Sequence, residues 1–537
     1  MTVDERLAAV LRLLIAGAYQ EAEMAARAVQ ADAPDNPQAA LLTGLAVAAM
    51  GETARAAPIL VGVAAANPGA EHPCVEFARF EPRFPRRLVE RLFQACRLLA
   101  PEDLRLRLAY TDHLIDTGRA AEALALLADG PDTPDVLHLR GMALADMGHF
   151  GAALTAFRKV VDLAPGAAAG WSNLGEMLKV EGRFAEAAAA HDQAVALLPD
   201  HPRFRVNRAV CHLTAGAWDK AWPDYECRLD LPEAPPIDKS RLLPPLRPGD
   251  SLTGTTIIAM HEDGFGDTLH FCRYLPLLAE RGAHVLACVP AELERVMRGV
   301  PGVADVVTDP TRVPPHDFIC PMFSLPGVFR SMPETVPPAP RLAIDPDLRQ
   351  RWAYRLPAGK SLKVGLVWAG QARPSAPGFA ALDRRRSAGL AAFEPLFGVA
   401  GVHFISLQKG AAARQTRPVS LTLFDPMPQV RDFADTAAII ANLDVVVSVD
   451  TSVAHLAGLL GVPVFLMDRY DNCWRWLHGR TDSPWYPAMT IFRQAQPNDW
   501  SGAMARAAAS LAAMAHMRAA AGLQSAQAGP PDGIQAA

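Results

Sequence analysis

Apolar residues recur at helical spacing over the first 230 positions of the 537-residue chain, and beyond position 255 they form short runs separated by turns. In the helical region, small residues and prolines return after 34 residues, as in the pairs Gly17 and Gly51, Gly141 and Gly175, and Pro165 and Pro199. Glycine lets two helices approach closely, and proline ends a helix. The pattern therefore predicts a stack of antiparallel helix pairs.

A repeat of this length and composition resembles the tetratricopeptide repeat. The expected repeats lie at about residues 3–36, 37–70, 104–133 (shortened), 134–167, 168–201 and from Pro202 onward. Residues 71–103 break the pattern, because aromatic residues and prolines replace a regular first helix. Such an array forms a concave surface without specifying its ligand. Two interpretations stay open: an arm for assembly, and a groove that holds a protein substrate.

The second region alternates strands with helices. Strands are expected at about residues 255–260, 284–289, 303–307, 317–320, 362–368, 403–408, 421–424, 445–449 and 463–467. Short turns between strands and helices predict doubly wound parallel sheets. Because two such units follow each other, we expect two Rossmann-like lobes with a cleft between them, as in the GT-B fold. Periodicity alone does not separate this fold from other two-lobed α/β proteins.

The predicted fold class is an α-solenoid of tetratricopeptide repeats followed by an α/β GT-B unit of two Rossmann-like lobes. The expected segments are a solenoid over 1–232, a proline-rich connector over 233–254, an N-terminal lobe over 255–345, a C-terminal lobe over 346–515 and a disordered tail over 516–537. The tail is rich in Ala, Gly, Gln and Pro and carries no evident signal.

One turn stands out as a candidate anion site. A run of β-branched residues at 445–449 predicts a buried strand, and Asp450, Thr451 and Ser452 follow it before an apolar helix. A helix N-terminus offers free N–H groups and a positive dipole, which suit a phosphate. We therefore hypothesise that this turn holds a nucleotide diphosphate. His455 lies one helical turn later on the same face.

A second turn, at 261–267, follows the first predicted strand of the N-terminal lobe. Gly264 and Gly266 allow close backbone approach to a substrate, and Asp267 stands at the start of the next helix. An ordinary helix cap is the competing interpretation of Asp267. No Asp-x-Asp pair follows a strand here, so the sequence does not predict a metal-diphosphate site.

Basic residues follow two strands of the C-terminal lobe. Arg386 and Ser387 end a polar loop after the strand at 362–368, and Lys409 follows the strand at 403–408. Arginine binds phosphate through two parallel hydrogen bonds. A solvated basic patch is the alternative.

Composition and charge argue against several classes of function. The formal net charge of -5 and an isoelectric point near 6.3 argue against a nucleic-acid-binding protein. The 8 cysteines include no CxxC pair, which favours buried thiols over a zinc site. No apolar run approaches the ~18 residues that a membrane span needs, and no signal peptide is evident. We expect a cytoplasmic protein.

Several segments together resemble the bacterial tetratricopeptide-repeat glycosyltransferases related to the heptosyltransferase family. These segments are 264–268, 365–368, 406–409, 450–457 and 482–487. The resemblance extends over about residues 3–515, and repeats joined to a GT-B unit are also similar to the architecture of O-GlcNAc transferase and of flagellin glycosyltransferases.

The resemblance implies metal-independent sugar transfer from a nucleotide-sugar donor, without a further cofactor. It assigns the catalytic base to Asp267 and contacts with the donor sugar and phosphate to Asp450 and Thr451. It also places a phosphate-binding basic residue in the loop where Arg386 stands. The chain departs from its relatives at Glu262-Asp263, where they tend to have Glu-Gln.

Three functions stay open. The first is a glycosyltransferase that modifies a protein held by the repeats, with flagellin as one candidate. The second is a transferase acting on a surface glycan, with repeats used for assembly. The third is a repeat scaffold whose GT-B unit has lost catalysis.

Overall fold

The computed structural model of the protein describes residues 1–79, 84–371 and 377–527. The chain forms two compact units, Met1–Pro165 and Gly166–Ala537. The boundary between these units lies inside the helical array. The last helices of the array therefore belong to the same compact unit as the sheets.

Residues 1–79 and 84–225 contain fourteen α-helices, arranged as consecutive antiparallel pairs. They are α1 (Val3–Ala16), α2 (Tyr19–Asp32), α3 (Pro37–Ala49), α4 (Thr53–Ala66), α5 (Pro73–Arg79), α6 (Arg86–Leu99), α7 (Leu104–Asp116), α8 (Ala120–Leu126), α9 (Pro134–Asp146), α10 (Phe150–Leu163), α11 (Ala168–Val180), α12 (Phe184–Leu197), α13 (Pro202–Thr214) and α14 (Trp218–Tyr225). Each full repeat predicted from the 34-residue spacing contains one such pair.

The repeated glycines lie where the two helices of a pair cross. A Cβ on Gly141 of α9 would come within 2.7 Å of the Phe157 ring of α10. A Cβ on Gly175 of α11 would meet His191 of α12 at the same distance. Real Cβ atoms do not come this close to a neighbour, so the helices can pack in this way only around glycine. This contact is the physical reason for the 34-residue pattern.

The second unit continues with two parallel sheets. The first contains β1 (Thr256–Met260), β2 (His284–Cys288), β3 (Val303–Val307) and β4 (Phe318–Pro321), in the order β3-β2-β1-β4. The second contains β5 (Leu362–Val367), β6 (Val402–Ser406), β7 (Leu423–Phe424), β8 (Val445–Val449), β9 (Val464–Asp468) and β10 (Met489–Arg493), in the order β10-β9-β8-β5-β6-β7. The predicted fold class is thus confirmed.

The helices around the sheets are α15 (Phe265–Phe271), α16 (Leu275–Glu280), α17 (Glu294–Met297), α18 (Leu325–Val328), α19 (Pro346–Arg355), α20 (Pro377–Arg386), α21 (Glu394–Phe397), α22 (Phe433–Ile440), α23 (Ser452–Leu459) and α24 (Ser501–Gln527). Among the described residues, no helix is long and apolar enough to cross a membrane.

The prediction of a disordered tail from residue 516 was wrong up to Gln527, where α24 ends. Alanine dominates this segment and has the highest helix propensity. The start of α24 is anchored, since Met504 and Leu511 are buried in the core of the second sheet. Residues 528–537 lie outside the described residues.

Aromatic side chains join the last repeat to the lobes. The ring of Trp218 in α14 stacks on Trp485, with 5.1 Å between centroids. The indole N–H of Trp222 donates to the Ser331 carbonyl at 2.9 Å. The last repeat, the connector and both lobes therefore share one hydrophobic core.

Candidate functional site

A cleft of about 660 Å³ lies at the carboxyl ends of strands from both sheets. In each sheet the strand order reverses beside one strand: β1 in the first and β5 in the second. Ligands of open α/β sheets bind at such reversal points. The cleft walls include the predicted residues Gly264, Gly266, Asp267, Arg386, Lys409, Asp450, Thr451, Ser452 and His455.

Thr451 is the N-cap residue of α23, but its side chain does not cap the helix. Its hydroxyl instead lies 3.0 Å from the hydroxyl of Ser448, in the buried strand β8. The first N–H groups of a helix have no partner within the helix. Thr451, Ser452 and Val453 line the cleft, so this end of α23 is placed to receive an anion.

Asp267 lies on the opposite wall, in the first turn of α15. One carboxylate oxygen accepts the Gly264 N–H at 3.0 Å, and the other pairs with Arg475 of the C-terminal lobe. Burial raises the pKa of Asp267 to about 6, although the Arg475 charge opposes this shift. The N-cap residue is therefore Gly264 and not Asp267. Asp267, in the first turn of the helix, accepts the N-cap N–H and also lines the cleft.

Gly266 permits a close approach between the two lobes. A Cβ at this position would lie 2.9 Å from Cδ2 of His455 and 3.2 Å from Cα of Ser452. We expected the glycine to admit a substrate. The close neighbour in the structure is instead the N-terminal turn of α23, so Gly266 sets the distance between the two candidate turns.

His455 is a buried, neutral ring. Its Nδ1 lies 3.0 Å from the Tyr486 hydroxyl and 3.2 Å from Nδ1 of His270, and its Nε2 lies 3.8 Å from a carboxylate oxygen of Asp450. Burial lowers the pKa of His455 to about 3, although Asp450 opposes this shift. The lowered pKa favours the neutral ring, and its close polar contacts are with Tyr486 and His270 and not with Asp450.

Arg386 is held at the edge of the cleft. It pairs with Asp383 at 2.9 Å, and its Nη1 lies 3.5 Å from the Asp450 carbonyl. Ser387 is absent from the cleft walls and accepts the Gly370 N–H at 3.1 Å. Contacts within the protein thus hold Arg386 in place, which argues against the alternative of a solvated basic patch. Ser387 orients the backbone after β5. Residues 372–376 of the preceding loop lie outside the described residues.

Lys409 also lines the cleft, and its ammonium group donates to the Val430 carbonyl at 2.9 Å. An ammonium group has three donors, so this contact leaves donors for a ligand. In the described part of the chain, no three His, Cys, Asp or Glu side chains are grouped to hold a metal ion.

Sequence reasoning missed two charged residues that pair with distant parts of the chain, Arg475 with Asp267 and Glu262 with Arg228. Arg475 occurs within Trp474-Arg475-Trp476, which reads as core-packing aromatics. Glu262 pairs with Arg228, just after α14, at 2.8 Å. A charged residue inside an aromatic segment is itself a signal, because a buried charge needs a partner.

Comparisons with known proteins agree with the repeat prediction. Models of the tetratricopeptide repeat match residues 138–196 and 180–221. Protein FlbA of Caulobacter vibrioides is 25% identical over 471 residues, covering 79% of this chain and 75% of FlbA.

Two solved structures resemble parts of the chain. A glycosyl transferase family 9 structure from Veillonella parvula covers 45% of this chain and 87% of that chain, at 11% identity and a TM-score of 0.35. The structure of MamA covers 28% of this chain and 91% of that chain, at 16% identity and a TM-score of 0.25. At these levels the likenesses do not establish membership of a family.

Proposed function

We propose that the protein is a glycosyltransferase that moves a sugar from a nucleotide-sugar donor to a hydroxyl group. One observation carries this proposal. A buried carboxylate with a pKa near 6 and the N-terminus of α23 face the same cleft from two different sheets. The carboxylate can act as a general base, and the helix N-terminus can bind the phosphate of a leaving nucleotide.

In the proposed reaction, Asp267 takes the proton of the acceptor hydroxyl. The acceptor oxygen then bonds to the anomeric carbon of the sugar while the bond from that carbon to the phosphate oxygen breaks. The nucleotide leaves with the bonding electron pair. The N–H groups at the start of α23, together with Arg386 and Lys409, would stabilise the negative charge on its phosphate. The proposed stabilisation comes from these residues, and the resemblance to heptosyltransferases implies that no metal ion takes part.

A groove in the first unit supports the proposal that the acceptor is a protein. It has a volume of about 640 Å³, and its walls include four carboxylates, Glu71, Asp112, Asp116 and Asp135. Repeat arrays bind extended segments through many weak contacts along such surfaces. We infer that this groove holds a segment of the protein to be modified, and flagellin is the first candidate to examine.

The roles of Asp267 and Thr451 separate in a binding experiment. Asp267→Ala should lower transfer about 10²–10⁴-fold while leaving nucleotide binding largely intact, because a general base acts on the acceptor. Thr451→Ala should weaken nucleotide binding instead. Titration calorimetry and a transfer assay on both variants test the assignment. Equal losses of nucleotide affinity in the two variants would contradict it.

A further inference from the structure

Arg469 lies beside the proposed phosphate site on the neighbouring strand. It directly follows β9, which pairs in parallel with β8 so that Val449 lies opposite Met467. Arg469 stands two residues after Met467, as Thr451 stands two residues after Val449, so both follow the carboxyl ends of neighbouring parallel strands. Arg469 also lines the cleft. An arginine and a helix N-terminus therefore line the same cleft, each after one of two neighbouring strands.

The guanidinium group of Arg469 is buried but incompletely bonded. The residue is only 8% exposed, and its Nε and Nη1 have no hydrogen-bond partner in the structure. Its ion-pair partner Asp471 lies 3.7 Å from Nε, which is too long for a hydrogen bond. Asp471 already accepts a hydrogen bond from Arg385 at 3.0 Å. Asp450 and Asp468 also attract the Arg469 charge, but no carboxylate accepts a hydrogen bond from its Nε or Nη1.

The other cations proposed to hold the phosphate have partners within the protein. Arg386 bonds to Asp383, and Lys409 bonds to the Val430 carbonyl. A buried charged donor without an acceptor destabilises the folded protein. Such an unfavourable arrangement is typical of functional sites, where a ligand supplies the missing partner.

We propose that Arg469 is an anion-binding residue of the cleft, and that its free donors bind an anionic group of the donor substrate. This inference rests on the proposed function. The planar guanidinium fork matches the two oxygens of a phosphate or of a sugar carboxylate. Both sources have the same binding chemistry.

The test measures the binding of inorganic pyrophosphate to the full-length protein by titration calorimetry. Arg469→Met keeps the apolar stem and removes the fork, and it should weaken pyrophosphate binding about 10- to 100-fold. Arg469→Lys keeps the charge, and its affinity for pyrophosphate should lie between those of Arg469→Met and the wild type. Arg431→Met is the matched control, because Arg431 lines the same cleft with a side chain that is 73% exposed. The control should change binding no more than about fivefold.

Thermal unfolding of the ligand-free variants separates a binding role from a structural one. Arg469→Met removes buried donors that lack partners, so the unfolding midpoint should stay the same or rise. Asp471 keeps its bond to Arg385 in this variant. A lower midpoint would assign Arg469 to the fold and overturn the proposal, as would unchanged pyrophosphate affinity.

Nucleotide ligands show whether Arg469 binds a phosphate or a sugar carboxylate. They also separate the proposed anion site from the proposed glycosyltransferase function. Cytidine monophosphate carries one phosphate, UDP-N-acetylglucosamine carries two, and CMP-N-acetylneuraminate carries one phosphate and one carboxylate. The ligand whose binding suffers most in Arg469→Met identifies the group that Arg469 holds. Wild-type protein that binds pyrophosphate through Arg469 but binds no nucleotide supports the anion site and refutes the proposed function. Nucleotide binding that is independent of Arg469 refutes the site and leaves the function standing.

Discussion

The Asp267–Arg475 ion pair joins the two lobes, and it makes the proposed base sensitive to a single substitution. Arg475 packs over the rings of Phe271, Phe323 and Trp474. Arg475→Met preserves much of this apolar contact while removing the charge. The carboxylate of Asp267 then keeps its burial and its like-charged neighbours, Asp263 and Asp450, which both raise its pKa.

The expected shift follows from the charge that is lost. An opposite charge within hydrogen-bonding distance lowers the pKa of an aspartate by about 1–3 units. Without Arg475, the pKa of Asp267 should rise from about 6 to roughly 7–9. A base must be deprotonated to act, so the acid limb of the activity profile moves to higher pH. For a shift of about 2 units, the ionised fraction at pH 7 falls from about nine-tenths to about one-tenth.

The assay is the pH dependence of kcat/KM for nucleotide release, which reports ionisations of the free enzyme. Wild type should lose activity as the pH falls through about 6. Arg475→Met should be about tenfold slower at pH 7 and recover towards pH 9. Two control variants should lose activity at nearly the same pH as wild type. Arg475→Lys keeps the charge beside Asp267. Arg480→Met removes a more exposed arginine, which pairs with Asp482. An unchanged acid limb in Arg475→Met would refute the reasoning.

Two further predictions concern the lobes and the repeats. Gly266→Ala should lower the free energy of unfolding by about 1–3 kcal/mol in urea denaturation, because the new methyl group meets Ser452 and His455. Gly398→Ala is the control, since its methyl group would meet nothing within 4 Å. Equal stability of the two variants would contradict the account. The double variant Asp112→Asn and Asp135→Asn should lower kcat/KM for a protein acceptor about two- to tenfold without changing donor hydrolysis, since both residues line the groove of the first unit. Unchanged protein modification in that variant would make the repeats an assembly arm.

Regular spacing made the repeats and most strands predictable. The 34-residue offset marks positions where a side chain larger than hydrogen would strike the paired helix, as Gly141 shows against Phe157. The valine run of β8 is buried at every position and reads as a central strand. These signals are local, so the sequence alone displays them.

Features that depend on distant partners were not predictable in the same way. Strand β10 includes the polar residues Thr490 and Arg493 and exists through its pairing with β9. Asp267 and Arg475 are 208 residues apart, and no spacing rule links them. The interpretation of Asp267 as a candidate base therefore came from resemblance, and its raised pKa emerged only when burial was known.

The central claim is that the cleft transfers a sugar to a protein. Mass spectrometry of the proteome, beginning with flagellin, should be compared between cells with the wild-type protein, without it, and with Asp267→Ala. The account predicts a sugar mass on a protein hydroxyl that is present only with the wild-type protein. Full modification in the Asp267→Ala cells, or identical glycosylation with and without the protein, would contradict it.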